Sequence, residues 1–132
     1  MRNPIKRILI CGQRDFNHQN LMEEVFDSFP KNAIIIEGEA PGADKMAANI
    51  AKRRKMTVLK FPANWKKYGK AAGPMRNKQM LDEGNPDIVH AFYIRETMND
   101  SKGTKHMVEL AKDRGIRVYI HISGKRNSKK AV

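Results

Sequence analysis

Short, β-branched apolar runs alternate along the chain with longer segments in which apolar side chains recur at helical spacing. This is the pattern of strand–helix–strand units built around a parallel sheet. Five runs read as strands, at 5–11, 33–37, 57–61, 88–93 and 117–122, and their apolar character predicts burial on both faces. Between the first two, Leu21, Val25, Phe26 and Phe29 recur within 20–29 and Pro30 closes the segment, which predicts a core-facing helix. In 44–55, Met46, Ala47, Ile50 and Ala51 form a second stripe, with Asp44 placed to cap its start. Segment 104–114 repeats the device: Met107, Val108 and Ala111 point inward and Gly115 stands at the C-terminal cap. The predicted fold class is α/β: a single Rossmann-like domain with an about five-stranded parallel sheet and helices on both faces.

Composition bounds this picture without changing it. The 132 residues, 40% hydrophobic and 30% charged, suit one globular domain with its own core. The longest apolar runs, near 8–11 and 33–36, are far below the ~20 residues of a membrane span. The basic start followed by a short apolar run reads as the first strand and not as a signal peptide. A single cysteine, Cys11, forms no internal disulfide, so a cytoplasmic location is expected. The domain is expected to occupy 1–122, with 123–132 as a disordered basic tail carrying Lys125, Arg126, Lys129 and Lys130. That tail reads either as a solubilising terminus or as a nonspecific nucleic-acid contact.

Charge adds a class of partner. The formal net charge of +12, from 26 Lys+Arg against 14 Asp+Glu, favours anions. In an open parallel sheet, ligands bind beyond the carboxyl ends of the strands, where helix N-termini present unpaired N–H groups. The loops after the first four strands therefore carry the candidates. In the first, Gly12 permits close backbone approach, Arg14 can make a bidentate phosphate contact and Asp15 follows; a plain turn is the alternative. In the second, Gly38, Gly42, Ala43 and Asp44 precede a helix, as in a backbone nest around phosphate, although neither the P-loop nor the dinucleotide fingerprint is present. The third, 64–77, mixes aromatics with cations. Trp65 and Tyr68 could stack on a base, or Trp65 could pack against the sheet. Lys67 and Lys70 could neutralise phosphate, and Gly73-Pro74 could open a helix projecting Arg76 and Asn77. In the fourth, Gly103 and Thr104 begin a helix, either as a phosphate site or as an ordinary threonine cap.

Catalytic patterns are sparse. His18, His90, His106 and His121 lack metal-ligand spacing, so neither a metal nor a cofactor is implied. Ser28, Ser101 and Ser123 sit in no nucleophile elbow, and Cys11 ends a buried strand. Of the nearby carboxylates Asp15, Glu37, Glu39, Asp44 and Glu96, the catalytic candidates are Asp44 and Glu39. Asp44 could receive a ribose hydroxyl, act as a general base or simply cap a helix.

Together, Cys-Gly-Gln-Arg-Asp-Phe at 11–16, Gly-Glu-Ala-Pro-Gly-Ala-Asp at 38–44, Phe-Pro-Ala-Asn-Trp at 61–65 and Gly-Lys-Ala-Ala-Gly-Pro-Met-Arg-Asn at 69–77 resemble the YspA/YpsA-related branch of the SLOG superfamily. The resemblance extends over the chain to about residue 122. It implies a Rossmann-like domain akin to LOG-type phosphoribohydrolases, the DNA-processing protein DprA and sensors of nucleotide-derived signals. Arg76 matches the LOG-type arginine and Gly103-Thr104 the Gly-Thr of the Pro-Gly-Gly-x-Gly-Thr-x-x-Glu motif. The motif glutamate, however, falls on Met107, which cannot exchange a proton or stabilise an oxocarbenium ion by charge. That departure argues against LOG-type N-glycosidic hydrolysis.

Three readings follow: a sensor or binding module for a nucleoside phosphate or ADP-ribose-like signal, a hydrolase or transferase acting on such a ligand, and DprA-like nucleic-acid binding through the basic surface. The resemblance also implies association into a homo-oligomer.

Overall fold

A computed structural model describes residues 5–124. In chain order the elements are β1 (Arg7–Gly12), α1 (Gln19–Asp27), β2 (Ile34–Glu37), α2 (Ala43–Arg53), β3 (Thr57–Lys60), α3 (Trp65–Tyr68), α4 (Ala72–Gly84), β4 (Ile88–Ile94), α5 (Lys102–Asp113) and β5 (Arg117–Ser123). A 3-10 turn at Gly69–Ala71 precedes α4, and another at Arg95–Asp100 precedes α5. Of the tail expected at 123–132, Ser123 instead closes β5 and is buried, and the residues beyond Gly124 lie outside the described ones. None of the described helices is long and apolar enough to cross a membrane.

The five strands form one parallel sheet in the order β3-β2-β1-β4-β5. Side chains alternate between its faces, and each face has its own helices. Ile8, Ile10, Ile35 and Phe92 pack with Met22 and Phe26 of α1 and Ala47, Ile50 and Ala51 of α2. Leu9, Cys11, Ile36, Ala91 and Tyr93 pack with Met80 and Leu81 of α4 and Met107, Val108 and Ala111 of α5. At about 1.5–3 kcal/mol per fully buried aliphatic or aromatic side chain, either layer is comparable to the whole net stability of a domain, ~5–15 kcal/mol. The sheet therefore needs both.

The structure corrects three local expectations. Burial on both faces holds for β1, β2 and β4 but not for the edge strands: Tyr119 and Ile120 of β5 are 41% and 43% exposed, because an outermost strand has a neighbour on one side only. Asp44 does not cap α2. Gly42, at φ +80°, holds the cap position, and the Asp44 carboxylate instead accepts from the N–H groups of Gly38 (3.1 Å) and Ala40 (3.3 Å). Thr104 likewise lies inside α5, whose cap position is Ser101; its hydroxyl accepts from the Ser101 hydroxyl at 2.7 Å.

Candidate functional site

The chain leaves β1 toward one side of the sheet and reaches β4 on the other, so the strand order reverses between these two central strands. The loops beyond their carboxyl ends must diverge, which opens a crevice at that point. Here the crevice is a cavity of about 710 Å³, lined from the β1 loop, α3, the start of α4 and the start of α5. Buried Gln13 braces it across the divergence. Its side-chain Oε1 accepts from the Ile94 N–H at 2.7 Å, and its side-chain Nε2 donates to the Thr97 hydroxyl at 2.9 Å.

The cations come from two elements. Arg76, on the first turns of α4, donates from Nη1 to the Gly38 carbonyl and from Nε to Asn77 Oδ1 (3.2 Å). Arg14, on the β1 loop, lies over the Trp65 indole at 5.6 Å from its centroid. Trp65 is 47% exposed, and its edge rests where Gly73 has no side chain: a Cβ there would stand 3.1 Å from Cη2. The tryptophan thus does not pack against the sheet but stands at the cavity mouth on a platform that glycine leaves open. Asn64 holds this short helix by accepting from the Lys67 N–H at 3.1 Å.

The acidic groups lie at different depths. Asp44 lines the cavity and is 5% exposed. Burial raises its carboxyl to about 6, against the lowering influence of Arg76, the two N–H donors and Arg14. Glu37, fully buried below, is raised to about 8 by burial, by the neighbouring Glu39 carboxyl group and by the charge of Asp44, against the lowering influence of the Glu39 N–H. It is therefore protonated at neutral pH. Glu39 does not reach the cavity. Its carboxylate pairs with Lys45 (3.2 Å) and Lys60 (3.9 Å), which leaves Asp44 as the better placed of the two catalytic candidates.

Opposite Arg76, α5 directs its N-terminus at the cavity. Lys102, Gly103 and Thr104 occupy its first turn and all line the space, with Asp100 and Ser101 just before them. N–H groups of a first helical turn have no intrahelical acceptor and carry the positive end of the helix dipole. Among the described residues no group of three or more His, Cys, Asp or Glu is arranged to hold a metal ion.

Of the residues singled out from sequence, Gly12, Arg14, Asp15, Asp44, Trp65, Gly73, Arg76, Asn77, Gly103 and Thr104 converge on this cavity. Gly38, Gly42, Ala43 and Lys70 do not line it. The expected nest at 38–44 is occupied by the protein itself: Gly38 and Ala40 donate to Asp44, Glu39 N–H to Glu37 Oε1 and Ala43 N–H to the Gln13 carbonyl. Lys70 sits in the 3-10 turn outside the lining. The residues passed over include Gln13, Thr97, Lys102 and His106. The positions of Gln13 inside the first loop and of Thr97 and Lys102 inside the fourth, 95–103, were usable signals for them; His106 had none, since tertiary pairing alone brings it in. Met107, where LOG-type enzymes carry glutamate, is 1% exposed and part of the core beneath the cavity.

Fold and site together define a doubly wound α/β domain with a small-molecule cavity at its topological switch point, flanked by two arginines and a helix N-terminus. The model of the YspA, cpYpsA-related SLOG family matches residues 6–68. The Gene 61 protein of Mycobacterium phage D29 is 31% identical over 124 residues, covering 86% of this chain and 94% of the phage protein. No solved structure matches. The chain belongs to the YspA, cpYpsA-related SLOG family, and that membership points to a nucleotide-related binding or modifying module. The family match spans β1 to α3, whereas Arg76, Asn77 and the α5 N-terminus lie beyond it.

Proposed function

We propose that this protein binds a phosphorylated, nucleotide-derived small molecule, a nucleoside phosphate or ADP-ribose-like signal, as a sensor or binding module. The carrying observation is the opposition of Arg76 to the α5 N-terminus across one cavity, with Trp65 at its mouth. Phosphate oxygens suit the free N–H groups and the guanidinium, and an aromatic base suits the exposed indole face. A space of about 710 Å³ lies within the ~300–1,000 Å³ range of small-ligand pockets. Thermal-shift titration with nucleoside mono-, di- and triphosphates and ADP-ribose tests the reading: stabilisation is expected in the wild type and its loss in Arg76→Ala. A protein that no such compound stabilises would refute it.

Asp44 favours a second reading, turnover of the bound ligand. A carboxyl at about 6, lining a cavity, can exchange protons near neutral pH. Incubating each stabilising compound with wild type and Asp44→Asn, and resolving the products by chromatography, decides it. Products from the wild type alone establish a hydrolase or transferase; intact ligand in both establishes a binding module.

The rim favours a third, weaker reading. Trp65 and Tyr68 are exposed beside Lys66 and Lys67, with the Lys67 ammonium 5.2 Å from the Tyr68 ring centroid, as on single-stranded nucleic-acid surfaces. It predicts an affinity for single-stranded DNA that falls steeply with salt.

A further inference from the structure

Asn77 and His106 are joined by a hydrogen bond whose polarity the surrounding groups determine. A guanidinium only donates, so Asn77 Oδ1, 3.2 Å from Arg76 Nε, is the accepting end of the amide. Its Nδ2 end then faces the Gly103 carbonyl at 3.3 Å and His106 Nδ1 at 3.1 Å. A carbonyl only accepts, so Gly103 assigns the same orientation independently. His106 Nδ1, opposite an N–H donor, must present its lone pair. A neutral imidazole in that position carries its proton on Nε2.

Nε2 has no hydrogen-bond partner among the described residues, and His106 lines the cavity. Side chains of an α-helix lean toward its N-terminus, which brings this ring, in the second turn of α5, over the first turn that ends at the cavity. We propose that His106 is a specificity-determining residue: an imidazole, held at Nδ1 by Asn77 with a proton on Nε2, that donates one hydrogen bond to an oxygen of a phosphate group seated at the α5 N-terminus. In this role it is a fixed donor and not a general base, because the nitrogen that could take up a proton is already held by the amide. The inference rests on the proposed function for the nucleotide part of the ligand, but the tautomer and the phosphate contact are tested without it.

The experiment is a long-range ¹H–¹⁵N correlation spectrum of histidine-labelled full-length protein at neutral pH, with His106 assigned by its loss in His106→Gln, followed by titration with inorganic phosphate and then AMP. The expected spectrum has a pyridine-like Nδ1 and a protonated Nε2 whose resonance moves on adding phosphate. His106→Leu is expected to lower AMP affinity roughly tenfold, as loss of one hydrogen bond to a charged group does. His106→Gln, which offers an amide N–H at the same reach, is expected to retain most of it. A protonated Nδ1, or a resonance that neither phosphate nor AMP moves, overturns the inference. Phosphate moving the resonance while no nucleotide stabilises the protein leaves it standing and refutes the nucleotide reading. AMP stabilising the protein with His106 unmoved does the reverse.

Discussion

The Arg76 guanidinium donates from Nη1 to the Gly38 carbonyl, which ties the first turns of α4 to the loop after β2 across the floor of the site. Gly38 makes this possible by lacking a side chain, for a Cβ there would lie 2.5 Å from Nη1 and 2.8 Å from Cζ. The obstructed group is the far end of a flexible side chain. Gly38→Ala is therefore expected to swing Arg76 out of position while the melting temperature stays within a few degrees of wild type. Phosphate-ligand affinity should fall roughly tenfold or more, the scale of a lost charged hydrogen bond. Paired calorimetric titration and thermal melts check this; equal affinity in the two proteins would show that Arg76 need not hold this pose.

Gly12→Ala should behave in the opposite way. Its Cβ would meet the Phe92 carbonyl oxygen at 2.5 Å and the Ala43 Cβ at 2.6 Å, both parts of the rigid framework that joins β1, β4 and α2. Relief requires backbone movement, and overpacking of this kind costs about 1–3 kcal/mol. A fall in melting temperature of several degrees is expected in the absence of any ligand.

Trp65 is exposed at the mouth, with Gly73 beneath its edge and the Arg14 guanidinium over its face. Trp65→Ala is expected to alter stability by less than about 1 kcal/mol. A stacked base contributes ~1–3 kcal/mol, so nucleotide affinity should fall some five- to hundredfold, while inorganic phosphate binds unchanged. Trp65→Phe should recover most of the loss. An unchanged nucleotide affinity in Trp65→Ala would place the base elsewhere in the cavity.

The buried carboxyl groups make stability depend on pH. Glu37 rises from an ordinary 4.5 to about 8 on folding and Asp44 from 3.8 to about 6, so the folded protein retains protons that the unfolded chain releases. Their contribution is complete below the unfolded values and is lost as pH rises through the folded ones. His90 acts oppositely. Burial and its neighbour His121 lower it from 6.5 to about 4, so stability is gained as pH rises through that interval, and the effects offset one another there. Between about 6.5 and 8 Glu37 dominates, and stability should decline with a slope approaching ~1.4 kcal/mol per pH unit. Urea denaturation across this window should show the decline in wild type and a flat profile in Glu37→Gln.

Much of the fold was legible because it is written in local periodicity. The five strands begin and end within two residues of where the apolar runs place them, and the inward residues of α2 and α5 follow from helical spacing alone. A glycine or proline marks the loops near the site because backbone constraints act within a few residues. The sequence by itself thereby determined an alternating α/β chain, its parallel sheet and four candidate strand-end loops, of which three meet at the cavity. Only the tertiary structure decided which groups in those loops remain free. The second loop has the composition of a phosphate nest, yet Asp44, Glu37 and Gln13 take its N–H groups. Gln13 braces two strands through residues more than eighty positions away, and His106 meets Asn77 across twenty-nine. A hydrogen-bonding group is satisfied by whatever folding brings within about 3 Å of it, and no local pattern carries that information.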